Sequence, residues 1–186
     1  MENLKRYNNL MLDIETLSTG ANAVILSIAA VPFNLGSTEL GPAFHQNINV
    51  QSSLDAGAKI DGDTLVWWIT KNHQTFKNNL KDPKHITTVL MEFWAFIKNE
   101  CDLECKVYGK GPSFDNKLVS DAYRLCVMNL PWKYYNERCV RTYLDGWEHL
   151  VSENVPFEGE EHDPLADVLH QIQSMQYVYD HNHMIP

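Results

Sequence analysis

The stretch Leu10-Met-Leu-Asp-Ile-Glu-Thr-Leu17 constrains this chain more than any other. Its apolar residues ask for a buried strand, yet two carboxylates stand inside it. Asp13 and Glu15 are two positions apart, and in a strand residues i and i+2 point to the same face. Two acids on one face of a core strand repel each other and are costly to desolvate. The fold must bring them to a strand end, where solvent or a divalent cation offsets that cost. Taken alone, the pair is equally a solvated strand end with two surface acids. The choice turns on whether the rest of the chain supplies further acids and a base.

The neighbouring segments indicate what surrounds that strand. Val24-Ile-Leu-Ser-Ile-Ala-Ala-Val-Pro-Phe33 is a near-continuous apolar run rich in β-branched residues, which predicts a central strand with Pro32 near its end. Asn34 to Ser37 reads as a hairpin turn, and Phe44 to Val50 alternates as a half-buried antiparallel strand does. Helical territory opens near Asp61, with Asp61 or Asp63 as the cap, and continues as a short polar helix or loop to Asn79. Ile86, Val89, Leu90, Phe93, Trp94 and Ile97 follow helical spacing and predict an amphipathic helix over 85–99. Cys105–Gly109 predicts a short strand running into a Gly-Lys-Gly-Pro turn, after which Ser113 is expected to cap a helix reaching about Met128. Glu137–Thr142 suggests another short strand and Tyr143–Val151 a helix. Asp163-Pro164, with Asp at the cap and Pro in the first turn, opens a last helix running to about Tyr179. Three strands, then helices alternating with two short strands, predict an α/β fold with a mixed sheet covered by helices.

With 186 residues and no repeat, low-complexity tract or linker, one domain over 1–186 is expected. No apolar run reaches the roughly 18–20 residues of a membrane span. The start, Met1-Glu-Asn-Leu-Lys-Arg-Tyr, lacks the apolar centre of a signal peptide, so a cytoplasmic protein without membrane partners is expected. Of Cys101, Cys105, Cys126 and Cys139, only the first two are close, and one C-x3-C pair is a thin basis for zinc, so reduced thiols are expected. The formal charge of −9 argues against a protein that coats nucleic acid along its phosphates. It leaves room for an enzyme that grips one chain end, where cations held by carboxylates supply the positive charge.

Further acids do stand at element ends. Asp115 falls in the first turn of the mid-chain helix, where by itself it is equally a helix-dipole acid. Asp167 lies one turn into the last helix and His162 just before it; alone, these are a dipole acid and a capping or surface histidine. Together the spacing is specific. Leu12-Asp-Ile-Glu-Thr-Leu17, Tyr108-Gly-Lys-Gly-Pro-Ser-Phe-Asp115 and His162-Asp-Pro-Leu-Ala-Asp167 resemble the three motifs of the DEDDh 3′–5′ exonucleases, and the resemblance spans almost the whole chain. Trp67-Trp68 with the polar helix after it further resembles the branch holding phage exodeoxyribonuclease A and the mycobacterial RNase T-like exoribonucleases.

The resemblance implies a ribonuclease H-like fold, an α/β architecture with a mixed five-stranded sheet, its first three strands antiparallel, flanked by helices. It implies hydrolysis of phosphodiester bonds from the 3′ end of single-stranded nucleic acid, with release of nucleoside 5′-monophosphates, and two Mg²⁺ or Mn²⁺ ions per site. In that scheme Asp13 bridges both ions, Glu15 and Asp167 complete the site of the attacking water, and Asp115 serves the second ion. His162 is the general base, for which an imidazole with a pKa of ~6.5 is suited. Thr16 and Leu17 match the positions that hold the terminal sugar and wedge the last bases apart. Trp68 and Phe114 are candidates to stack a base, with core packing as the alternative for both and for Trp67. Lys110 and Lys117 are phosphate contacts or solvated surface lysines. The expected partners are single-stranded DNA or RNA 3′ ends, and a homodimer is implied by relatives. The short, phage-like chain favours DNA over RNA, although no residue that reads a 2′-OH stands out. Two rivals remain in view. His162-Asp163 is also the signature pair of the HD phosphohydrolases, but the β-rich first fifty residues argue against that all-helical class. An inactive nucleic-acid- or partner-binding module would be expected to lack one of the five residues, and all five are present.

Overall fold

The computed structural model describes residues 6–159 and 162–184. Strands β1 (Tyr7–Thr16), β2 (Ile25–Phe33) and β3 (Phe44–Asn47) form an antiparallel meander. Helices α1 (Val50–Asp55), α2 (Gly62–Lys71), α3 (His73–Asn79) and α4 (Ile86–Glu100) then lead to β4 (Cys101–Gly109). Helix α5 (Asp115–Leu125) connects to β5 (Glu137–Cys139), and α6 (Val140–Tyr143), α7 (Glu148–Asn154) and α8 (Pro164–Met184) complete the chain. The sheet order is β3-β2-β1-β4-β5, with β1 parallel to β4 and β4 parallel to β5. Parallel neighbours need crossovers, and the helices between β3, β4 and β5 provide them. This is the expected α/β class with its mixed five-stranded sheet.

The central place of β1 explains where its acids go. Leu10, Leu12 and Ile14 point into the core cluster built with α4 and α5, through Phe93, Ile97, Leu118 and Val119. Met11 belongs to the opposite cluster, with Val168, Ile172 and Met175 of α8. By the two-residue period of a strand, Asp13 and Glu15 follow Met11 onto the α8 face. Every residue of β2 is buried, because helices cover both faces of the sheet and β1 and β3 flank the strand. A third cluster, comprising Leu17, Val24, Leu26, Ala58 and Trp68, packs beyond the end of β1.

The helix starts follow local chemistry where the chain offers it. The Asp61 side chain accepts the Thr64 N–H at 2.8 Å and starts α2. Asp163 accepts from Leu165 and Ala166 N–H at 3.0 and 3.1 Å and starts α8. The expectation for Ser113 is corrected: α5 begins after Phe114, with no side-chain cap. Strand β4 starts four residues early, at Cys101, because Tyr7 pairs with Cys101 before the exposed residues 102–104. Helix α1, held by the Asn49 side chain on Ser52 N–H, is too short to show a period. The strand expected over 137–142 stops at Cys139, and the helix expected over 143–151 is divided by Gly146 at φ +82°. Among the described residues no helix is long and apolar enough to cross a membrane, and the four cysteines are free thiols.

Phe93 has no exposed surface and lies 4.9 Å from the Phe44 ring and 6.4 Å from Trp132. Phe93→Ala should cost about 3–5 kcal/mol of stability, measured by urea unfolding. A loss below about 1 kcal/mol would show that this layer repacks freely.

Candidate active site

Three elements converge on one carboxylate cluster. The carboxylate oxygens of Asp13 and Glu15 from β1 and Asp167 from α8 lie within 4.8 Å of one another. The strand register shifts between Glu15 and Thr16, a bulge that re-aims the chain where the acids leave the core. Asp167 sits in the first turn of α8, and its carboxylate accepts the His162 backbone N–H.

Asp115 joins from the start of α5. Its Oδ2 accepts the Lys110 N–H at 2.7 Å, turning the side chain back toward the end of β4. Gly109 makes that approach feasible: a Cβ there would lie 2.9 Å from the Asp115 Cβ and 3.0 Å from its Oδ2. Asp115 stands outside the 4.8 Å triad, but its charge acts on both Asp13 and Glu15.

The electrostatics of the four acids agree. Burial, then Asp115 and Asp167, raise Asp13 well above the usual carboxylate range. Burial, then Asp13 and Asp167, push Glu15 up to about 10. Burial raises Asp115 to about 6, against the pull of the Lys110 N–H. Burial also raises Asp167, opposed by Lys110 and His162. Lys110 is thus the lysine whose charge reaches the cluster, and it does not neutralise it. Lys117, the other candidate for phosphate, is paired with Asp121. An all-carboxylate oxygen set that the protein leaves uncompensated fits hard divalent cations such as Mg²⁺ or Mn²⁺.

Beside the acids lies a cleft of about 370 Å³ whose walls include Glu15, Thr16, Thr64, Trp67, Trp68 and Phe114. His162 adopts φ +64°, which is uncommon for a residue with a side chain. Its ring stands perpendicular to Trp67 at 5.0 Å and near-perpendicular to Trp68 at 6.2 Å. The tryptophan pair therefore braces the candidate base from the cleft side. A larger groove of about 410 Å³, around Met91, Trp94 and Val127, includes none of the acids.

Two of the expected substrate contacts are corrected. Trp68 is 1% exposed, donates its indole N–H to the Thr16 carbonyl at 2.8 Å and stacks on Phe76, so it is a core residue with no free face for a base. Leu17 is 2% exposed and packs with Val24, Leu26 and Trp68, which places it in the core rather than on the cleft wall. Trp67, 39% exposed, offers the ring surface instead. Thr16 is buried and lines the cleft with its hydroxyl donated to the Ser18 carbonyl. Phe114 is half-buried and lines the cleft. Leu65 and Trp68 share the inward helical face at i, i+3, with Trp67 turned about 100° from Trp68, but the exposed Val66 and Ile69 have the same spacing, so the sequence leaves the choice of face open. Gln171 was also missed. Its side-chain amide donates to Asp13 Oδ1 at 3.0 Å, a contact across 158 positions that no local pattern in the sequence signals.

The sheet order brings acids from its central strand together with acids at two helix starts, and the family model that matches the chain makes it a 3′–5′ exonuclease, a hydrolase. The chain belongs to the family of the Rv2179c-like 3′–5′ exoribonuclease domain, whose model matches residues 8–179. No curated protein sequence matches it. Solved structures share the fold. The nuclease domain of 3′hExo, a DEDDh family member bound to rAMP, has a TM-score of 0.64 at 12% identity, covering 94% of this chain and 93% of that one. A full-length 3′-exonuclease has a TM-score of 0.65 at 11% identity, covering 96% and 84%. A 3′-exonuclease in 3′-end-specific recognition of a histone mRNA stem-loop has a TM-score of 0.67 at 10% identity, covering 95% and 84%. None of these similarities supports the homodimer.

The raised carboxylates set a pH dependence. An acid whose folded pKa exceeds its unfolded value favours folding below the unfolded value and loses that contribution as pH rises through the folded one. For Asp115 this interval runs from 3.8 to about 6, and for Glu15 from 4.5 to about 10. In EDTA the melting temperature should therefore fall between about pH 5 and pH 8, and Mn²⁺ should raise it more at pH 8 than at pH 5, by thermal-shift assay. A melting temperature indifferent to Mn²⁺ at pH 8 would contradict this account of the cluster.

Proposed function

We propose that this single domain, residues 1–186, removes nucleoside 5′-monophosphates from the 3′ ends of single-stranded RNA. Asp13, Glu15, Asp115 and Asp167 hold two divalent cations. The observation that carries this reading is the convergence of three carboxylates within 4.8 Å, their acidity suppressed by burial and mutual repulsion, beside an aromatic cleft. When bound, Mg²⁺ or Mn²⁺ neutralises phosphate oxygens and acidifies water.

The chain's own residues supply the rest. Glu15 and Thr16 form one wall for the terminal nucleotide. Trp67 and Phe114 offer ring surface to its base. His162, braced by Trp67, takes the proton from the attacking water, and its backbone N–H holds Asp167 in place. This reading favours RNA where the sequence alone favours DNA. It does so because the family is described as exoribonucleases and two of the structural neighbours are described with rAMP and with a histone mRNA stem-loop.

The direct test resolves 5′-labelled RNA and DNA oligonucleotides of matched sequence after incubation with Mn²⁺ or EDTA. The expected result is a ladder shortening from the 3′ end, faster on RNA, lost in EDTA and lost in Asp13→Asn. Degradation that persists in EDTA would overturn the cation-dependent reading. His162→Ala should slow turnover by ~10²–10⁴-fold while Mn²⁺ binding persists; an unslowed variant would assign the base elsewhere.

The two tryptophans should separate cleanly. Trp67→Ala should weaken binding of the terminal nucleotide by ~1–3 kcal/mol with the fold intact. Trp68→Ala should instead cost about 3–5 kcal/mol of folding stability. Measured KM and urea midpoints distinguish them, and a Trp67 variant with unchanged KM would remove it from the cleft's function.

A further inference from the structure

We infer that Gln171 is a positioning residue for the acid cluster, holding Asp13 in the orientation that receives a cation. The inference rests on the proposed cation site and adds a residue to it. Gln171 is 2% exposed and lies one helical turn beyond Asp167 on α8, so one helix face carries both a cluster acid and the donor to another. Its Nε2 donates to Asp13 Oδ1 at 3.0 Å across 158 positions of sequence. With that oxygen committed, the Asp13 carboxylate cannot turn about its Cβ–Cγ bond without breaking a buried hydrogen bond.

Packing does not account for an amide at this position. The Gln171 Oε1 is buried with no partner among the described residues. The neighbouring inward residues Val168, Ile172 and Met175 are apolar. A leucine or methionine would fill similar space without an orphaned oxygen, so the amide is there for its N–H.

Charge explains why the donor is an amide. A lysine would neutralise Asp13 and compete with the cation for it. A glutamate would add a further negative charge to acids that already repel one another. An uncharged N–H fixes the acceptor and leaves the full negative charge of the cluster for a divalent ion. Hydrogen-bond partners of this kind orient ligands and set metal affinity.

The test is isothermal titration of Mn²⁺ into the wild-type chain and into Gln171→Leu and Gln171→Met, with melting temperatures in EDTA measured alongside. Both variants should fold with melting temperatures at or above wild type and bind Mn²⁺ about 10–100-fold more weakly. They should also show reduced kcat with KM little changed. Affinity within about twofold of wild type in either folded variant would overturn the positioning role alone. Absence of Mn²⁺ binding in the wild-type chain would overturn the cation site and this inference with it. If Gln171→Leu does not fold, Gln171→Met decides the matter, and loss of folding in both would overturn the assignment, making Gln171 a structural residue.

Discussion

The burial of carboxylates together at the end of β1, with repulsion from their neighbours added for Asp13 and Glu15, is the constraint on which the rest of this protein depends. Asp13, Glu15, Asp115 and Asp167 come from three elements, and each is driven above its ordinary pKa. Such a cluster stores unfavourable energy in the cation-free chain, so the remaining structure must hold it closed. It does so through β1, which lies at the centre of the sheet with apolar side chains on both faces. The site is placed where that core ends.

The two faces of the sheet divide the work. On one, α4 and α5 bury Leu10, Leu12 and Ile14 against an aromatic layer of Phe93, Phe44 and Trp132. On the other, α8 packs its apolar stripe on Met11 and Val31 and presents Asp167 and Gln171 to Asp13. A similar division runs through the adjacent tryptophans. Trp68 ties α2 to the Thr16 carbonyl, and Trp67 faces the cleft and His162. Rigidity and chemistry are thus carried by neighbouring side chains, which is how a cleft wall keeps its shape while offering an exposed ring.

Charge is distributed with equal economy. A chain of net charge −9 cannot attract a polyanion broadly. In the proposed function its approach to phosphate depends on cations held at one point, with Lys110 nearby and Lys117 already paired. That arrangement suits action at a strand end, where one phosphate is handled at a time.

Much of this was legible in the sequence, and the reasons are local. The apolar runs of β1 and β2, the helical period of α4, and the caps Asp61 and Asp163 depend on spacing and on hydrogen bonds within a few residues. The three acid-bearing motifs were legible as well, because each lies on one short segment. What the linear chain did not disclose depends on which side of an element meets which neighbour. Only packing of α2 beneath Thr16 makes Trp68 the core residue and Trp67 the exposed one, and only the turn after β1 buries Leu17. Only the crossing of α8 over β1 brings Gln171 to Asp13. The sequence by itself determined the strands and the main helices through periodicity and local hydrogen bonding, and its resemblance to a known family singled out Asp13, Glu15, Asp115, His162 and Asp167 as candidates. The tertiary structure decided the walls of the cleft and the partner of Asp13, because those contacts join residues whose separation along the chain carries no trace of their proximity in space.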